Sequence, residues 1–568
     1  MMGSARQAQV DLLLRNGRVL DVFSGTFRPA DLAISSGRIV GFGAAGAREV
    51  RDLKGNWVIP GLIDAHVHIE SSQLTPASFA RAIVPHGTTS VIADPHEIAN
   101  VLGLEGIRYM LDASEDLPLG ALFMAPSCVP SCPFESPGAA LGPAEIDELL
   151  TWDRILGLGE VMNYPGVIHG DEDVHAKLAA AGGRPIDGHA PGVSGEELWA
   201  YVSAGPRTDH ECTDPDEALE KLAAGLRILI REGTTARNLD ALLPILNERT
   251  APFVHFCTDD RHPESLLDEG HLDDLLRRAI AYGVPPEVAI ASATIHPACT
   301  YGLSDRGALA PGYRADLAVL SDLKQFAVRD VYAEGLCVAS EGEALFVAPA
   351  VRDGRARDTV RVDPDRVDLR LDGGAADSRK VRTILVEGTQ VTTRASEAVL
   401  PVLDGAVVPD TGQDVLKLAV VERHSGHAAT GLAFVKGFEL SRGALGSSVA
   451  HDAHNLIVVG ASDDDMDRAI RELVRLGGGQ VVVDGDDVVA SLPLPIAGLM
   501  TDGSLEETAK SARALTDAAG RLGCRLQAPF ATLSFLALPV IPSLKLTDQG
   551  LVDVERFQIV SPIRDPSA

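Results

Sequence analysis

Between residues 58 and 260 short apolar runs recur, each ending in polar or charged residues. Eight can be read in order: VIPGLIDAHVH, TTSVIADPHE, GALFMAPS, ILGLGEVMN, RPIDGHAP, GPRTDHEC, LRILIREGT and FVHFCTDD. Their length and β-branched content read as buried strands. Segments such as ELLTWDRIL, EALEKLAA and HLDDLLRRAIAYG carry the apolar period of helices. Strand and helix in alternation imply a parallel sheet. Eight such units over 61–304 predict an α/β fold, a (β/α)8 TIM-type barrel, whose usual size is ~250 residues.

The flanks read differently. VDLLLRNGRVLD, ADLAISSGRIVGFG and NWVIPG look like short strands, with Asn16-Gly17 and Ser36-Gly37 as tight hairpin turns. Similar text returns as GALAPGYRADLAVLSDL and DVYAEGLCVAS. The two pieces, 1–60 and 305–348, are expected to form one small composite β domain. Pro/Asp/Arg-rich text over 349–368 reads as a linker. The strands HNLIVVGA and GGQVVVDG and the helices DDMDRAIRELVRLG and LEETAKSARALTDAAGRLG follow. They predict a C-terminal α/β domain within 349–568.

Composition narrows the class. At 568 residues the chain is too long for one core. No apolar run is long enough to span a membrane, and the N-terminal text lacks a secretory pattern. Seven cysteines, none paired as CxxC, argue against a disulfide framework and for a cytoplasmic protein. A net charge of −30 disfavours nucleic acid and phosphorylated partners. It suits a small neutral or cationic substrate, although most of the acid excess reads as a solubilising surface.

The chemistry sits where the strands end. The first run ends in His66 and His68, the second in Asp94-Pro95-His96-Glu97, and later ones in Glu160, His189, His210 and Asp259. Barrels carry their active sites at the C-terminal ends of the strands. Alternate residues of a strand share a face, so His66 and His68 can both point into the barrel. Imidazole and carboxylate ligate Zn, Fe or Mn. Any one of these histidines alone reads as a core or surface group; six ligands at successive strand ends read as a metal centre. Six exceed the three that one catalytic zinc uses, and suffice for two divalent ions sharing a bridge.

This arrangement resembles the amidohydrolase superfamily. There HxH follows strand 1, a bridging Lys or Glu ends strand 4, single histidines end strands 5 and 6, and an Asp ends strand 8. The matching residues are His66, His68, Glu160, His189, His210 and Asp259. Strand 4 carries Glu and no Lys, which counts against the dihydroorotase- and hydantoinase-like branches. The words HVHIESS, DPHEIANVLG, IDGHAPGVSG, TDHEC, CTDDRHP, AHDAHNLIVVG and FLALPVIPSLKLTDQGLVDV are similar to the bacterial-type adenine deaminases over nearly the whole chain.

The resemblance implies hydrolysis of adenine to hypoxanthine and ammonia, in purine salvage, by a hydroxide bridging two metals, Mn(II) or Fe(II) before Zn(II). Asp259 would ligate and also move the water proton. His96 would relay a proton and Glu97 bond a ring nitrogen, unless PHE merely caps the next helix. Ser72 caps the first barrel helix with Glu70 and Ser71, or touches substrate. Arg261 and His262 are expected at the rim, and Cys128 and Cys132 as loop packing. His424, His427, His451 and His454 are read as locally hydrogen-bonded; the alternative is a domain edge closing over the barrel mouth. A homodimer is expected. The competing readings are another amidohydrolase acting on a cyclic amide or aminated heterocycle, and an inactive barrel scaffold.

Overall fold

The computed structural model describes residues 9–44, 46–347, 354–387 and 392–564. The eight apolar runs are eight parallel barrel strands: Leu62–Val67, Thr88–Ala93, Gly120–Ala125, Ile155–Val161, Ile186–Gly188, Thr208–Asp209, Arg227–Arg231 and Val254–Cys257. The first five form one sheet and the last three another. They meet at two seams. Arg207 N donates to Ile186 O at 3.0 Å, and Asp259 N donates to His66 O at 3.0 Å beside a parallel bridge from Val67 to Asp259. The ring is therefore closed, as the α/β barrel reading requires. Ala65, Ile92, Leu122, Met124, Leu229, Cys257 and Tyr301 pack together as its apolar interior.

EALEKLAA and HLDDLLRRAIAYG lie in the helices Pro215–Ala223 and Leu272–Tyr282. ELLTWDRIL does not form one helix. Its helix is Pro143–Leu149, and Ile155 already opens the fourth strand. The apolar period ran across a turn because both elements bury Leu and Ile.

The flanking pieces share one sheet. Its strand order is Glu343–Ala344, Leu336–Ser340, Ala327–Ala333, Leu317–Asp322, Trp57–Pro60, Val10–Asp21, Thr26–Ser35 and Arg38–Phe42. Val319 faces Val58 across the join, although 261 residues separate them in the chain. Ser36-Gly37 makes the expected turn. Asn16-Gly17 does not: Val10–Asp21 runs straight through it. Asn16 takes the left-handed conformation (φ 59°) inside a register shift between Leu14 and Gly17. The same residue pair that favours a turn here supplies a bulge.

Residues 378–493 build a nine-stranded sheet, ordered Ala406–Val407, Thr393–Leu403, Ser378–Val386, Thr430–Lys436, Val415–Val421, Leu456–Gly460, Ala444–Ser447, Gly479–Asp484 and Asp487–Pro493. Helix Asp463–Leu476 covers it, packing Met466, Ala469, Ile470 and Leu473 against Ala444, Val458 and Val481. Part of the proposed linker, 349–353, lies outside the described residues. The rest of it holds two short turns, Gly354–Ala356 and Pro364–Arg366. This C-terminal sheet docks on the barrel: Thr75 N donates to Thr501 O at 3.1 Å, and Asn455 Nδ2 donates to Ser136 O at 3.1 Å. Among the described residues no helix is long and apolar enough to cross a membrane.

Candidate metal centre

All six strand-end residues meet. His68 Nε2 lies 3.3 Å from Glu160 Oε1 and 3.1 Å from Asp259 Oδ1. His66 Nε2 lies 4.0 and 3.6 Å from the same two atoms. On the other side of Glu160, Oε2 accepts from His189 Nδ1 at 2.7 Å and faces His210 Nε2 at 3.3 Å. Glu160 thus stands between His66 and His68 on one oxygen and His189 and His210 on the other. All are buried except His189, which is partly open. A register irregularity between Asp64 and Val67 accompanies the two-histidine end of the first strand, where the His66 and His68 ring centroids sit 4.8 Å apart.

The chain positions these residues through a buried polar layer. Asp94 accepts Glu160 N on Oδ2 at 2.8 Å, and its carbonyl accepts from His68 Nδ1 at 2.9 Å. That second bond leaves His68 Nε2 to face the centre, as outer partners of ligand histidines do. Asp64 accepts from Thr258 on both oxygens, at 3.1 and 2.5 Å, and ties strand 1 to strand 8. Lys221 donates to Ala190 O at 2.6 Å and to Asp209 Oδ2 at 3.0 Å, holding the ends that carry His189 and His210. Arg231 donates to Asp259 Oδ2 at 2.9 Å and to Glu211.

Electrostatics follow this geometry. Burial alone would raise the Glu160 carboxyl, yet His189, His210 and His68 hold it well below the usual range. Burial opposes ionisation of Asp259 too, and Arg231, His66 and His68 overcome it. Burial lowers His210, but Glu160 wins and carries it to about 9. The six residues fit divalent metal. His66 Nε2, which faces the Glu160 and Asp259 carboxylates, is buried and has no hydrogen-bond partner. Two groups of ligand atoms, His66 with His68 and Glu160, and Glu160 with His189 and His210, could each hold an ion. An orphaned imidazole nitrogen beside ionised carboxylates is what a metal would satisfy.

His96 and Glu97 open the helix His96–Leu102, beyond the strand end at Ala93. Their neighbouring side chains are both buried because they sit on a helical turn, not on a strand. His96 Nδ1 lies 3.4 Å from Glu160 Oε1 and 3.7 Å from Asp94 Oδ1. Burial and His68 depress His96, but Asp94 and Asp452 prevail and raise it to about 10. Burial, Glu70 and Asp260 push Glu97 up to about 8.

Three expectations change. Glu70-Ser71-Ser72 forms its own 3-10 turn, and the first barrel helix starts later, at Pro76. Ser72 spends its hydroxyl on Ile69 O at 2.6 Å, whereas Ser71 donates to Glu97 Oε1 at 2.7 Å. The adjacent serine, rather than Ser72, therefore meets the polar cluster. Arg261 is not at the rim: it is buried and pairs with Glu269 at 3.0 Å. His424 is bonded locally, Nε2 to Ala453 O at 2.8 Å. His451 and His454, however, reach the barrel mouth, 4.0 and 3.8 Å from the Glu97 carboxylate. Sequence reasoning did not single out Arg231, Glu211 or Asp452. Glu211 beside His210 and Asp452 beside His451 had adjacency as a signal, and Arg231 had none. Cys128 and Cys132 are buried in their loop, as expected.

Comparison with known proteins places this geometry. An adenine deaminase from Desulfatibacillum aliphaticivorans is 47% identical over 97% of this chain and 97% of its own. The chain belongs to the adenine deaminase family. Relatives of the same description from Methanothrix thermoacetophila and Nitratidesulfovibrio vulgaris are 48% and 47% identical, each covering 98% of this chain and 98% and 97% of their own. Residues 57–338 match the amidohydrolase family, and residues 390–558 match the adenine deaminase C-terminal domain. Membership of the amidohydrolase family implies divalent metal, for which the clustered histidines and carboxylates are possible ligands.

Proposed function

We propose that this chain is an adenine aminohydrolase, converting adenine and water to hypoxanthine and ammonia. The observation that carries the reading is Glu160 standing between two histidine pairs with Asp259 opposite, in a chain that matches adenine deaminases end to end. His66, His68, Glu160, His189, His210 and Asp259 would hold two divalent ions, with Glu160 shared. Histidine and carboxylate ligands suit Mn(II), Fe(II) and Zn(II) alike, and the family resemblance favours Mn(II) or Fe(II). Such ions make water acidic enough to serve as a nucleophile at neutral pH.

The protein's own groups do the rest. Asp259, anionic and anchored by Arg231, accepts the proton that water loses. His96, held beside Glu160 and Asp452, returns a proton to the departing amine. Glu97, raised to about 8 by burial and its acidic neighbours and so mostly protonated at neutral pH, bonds a ring nitrogen of the purine. The buried mouth keeps bulk water from competing for these bonds. The composite β sheet, the barrel and the C-terminal sheet are read as the three domains 1–60 with 305–348, 61–304 and 349–568. We place the enzyme in the cytoplasm, as a homodimer serving purine salvage.

Mn(II)-loaded protein should release ammonia from adenine and leave adenosine, AMP and cytosine nearly untouched. Equal turnover of adenosine, or opening of a cyclic amide, would defeat the adenine reading while leaving the binuclear centre standing.

A further inference from the structure

The connection 448–455 joins two central strands of the C-terminal sheet, Ala444–Ser447 and Leu456–Gly460, and projects onto the barrel mouth. It is held from behind. Buried Arg423 donates to His454 O and to Ala497 O, and its N–H bonds Asn455 Oδ1 at 3.1 Å. Asn455 in turn bonds Ser136 O on the barrel. His451 donates its N–H to Ser534 O at 3.2 Å and stacks on Phe535. His454 sits in the left-handed region (φ 52°), a costly conformation for a non-glycine residue that tends to mark functional segments.

So rigid a support presents polar atoms that nothing satisfies. Ala450 N donates to His454 Nδ1 at 3.2 Å. That nitrogen therefore carries no proton, and a neutral His454 must carry its proton on Nε2. Burial keeps the ring neutral. Its Nε2–H is buried and unpartnered, with Glu97 Oε2 the facing atom at 3.8 Å. Asp452 is also buried: Oδ1 faces His96 Nε2 at 3.9 Å and His451 Nδ1 at 3.6 Å, while Oδ2 has no partner. A buried donor and a buried acceptor without partners cost stability unless a ligand completes them.

We propose that 448–455 is the purine-reading edge of the site: His454 Nε2–H donates to an acceptor nitrogen of the free base, and Asp452 accepts the base's imidazole-ring N–H. This rests on the adenine reading above and names the residues that choose a free base. A ribose replaces the N–H that Asp452 accepts, so a nucleoside would leave that carboxylate buried and unpaired. The C-terminal domain thereby sets specificity while the barrel holds the metals.

The test measures binding of hypoxanthine and 9-methylhypoxanthine to the metal-loaded protein by calorimetry, so it does not depend on turnover. Asp452→Asn should weaken hypoxanthine by about 10- to 100-fold, the worth of one hydrogen bond to a charged group. It should barely change the 9-methyl base, which has no imidazole N–H to give. His454→Leu should weaken both bases about tenfold, and His454→Gln, which keeps a donor, should recover most of that. Metal content should stay at the wild-type value throughout. Equal loss of both bases in Asp452→Asn would mean a structural role and overturn the proposal. So would a third metal equivalent in the wild type that disappears in His454→Leu, since Glu97, His451 and His454 would then be a cation site. Failure of the wild type to release ammonia from adenine would instead overturn the activity, with the binding ratios still deciding the edge.

Discussion

Arg231 donates to Asp259 Oδ2 at 2.9 Å, which leaves the other carboxylate oxygen to His66 and His68. The same guanidinium pairs with Glu211, whose Oε1 lies 3.4 Å from His210 Nε2. One buried arginine therefore braces candidate ligands from the sixth and eighth strands together. Removing one member of a buried pair costs roughly 3–5 kcal/mol, because its partner stays charged and buried. Arg231→Met should lower the thermal midpoint and the bound metal together. Arg231→Lys should recover charge but not the forked bond to two carboxylates, and should fall between the two. Thermal unfolding with metal analysis on the same preparations checks this, and full metal content in Arg231→Met would sink it.

Glu160 is the shared ligand of the proposed centre. Glu160→Gln keeps shape and loses the charge that His68, His189 and His210 face. It should lose metal as well as deamination. Normal stoichiometry with normal turnover in that variant would rule out the bridging role.

Gly159 precedes Glu160, and a Cβ there would run into Asp94 Oδ2, closer than side chains ever pack. Asp94 is the group that accepts Glu160 N. Gly159→Ala should therefore displace Asp94 and swing Glu160 out of place, lowering metal occupancy although no ligand has been changed. Gly170→Ala, at an open position with φ 79°, is the control: it should cost only some stability. If the two variants bind metal equally well, the steric account of Gly159 is wrong.

The parts legible in the sequence were those with a local signature. The barrel strands ended their apolar runs in polar or charged residues, so His66, His68, Glu160, His189, His210 and Asp259 could be read in order. Arg231 could not, because an arginine at the end of LRILIRE looks like any charge leaving a strand. Asp452 and His454 lie more than 350 residues beyond Glu97, and only the docking of the C-terminal sheet brings them to it. HDAHN reads the same whether its histidines bond locally, as His424 does, or face a ligand. Ser72 and Ser71 show the limit of resolution within a motif: a single step around a 3-10 turn decides which hydroxyl meets Glu97.

His96 is expected to move protons without holding metal. Its Nδ1 faces Glu160 and Asp94 and its Nε2 faces Asp452, so it stands between the candidate metal centre and the segment 448–455. His96→Asn should retain its metal and lose ~10²–10⁴ in kcat, the usual worth of a positioned acid or base. Wild-type turnover, or metal loss comparable with Glu160→Gln, would refute the assignment.

A pH dependence of stability should arise away from the metals. His255, in the eighth strand, is fully buried with Nε2 bonded to Thr300 Oγ1 at 2.7 Å and Nδ1 unpartnered. Burial, then His296 and Arg227, depress its pKa from 6.5 to about 3. The folded state therefore binds fewer protons here than the unfolded chain. Stability from this residue is fully present above the unfolded value near 6.5 and is lost progressively as pH falls toward the folded value. His296, depressed to about 4 mainly by burial, adds in the same direction. His255→Gln offers an amide to Thr300 and no proton site. The thermal midpoint of the wild type should fall more steeply than that of His255→Gln between pH 7 and pH 4.5. Carboxylates and metal ligands titrate alike in both proteins, so the difference between the curves isolates His255. Parallel curves would show that its proton equilibrium does not differ between the folded and unfolded chain.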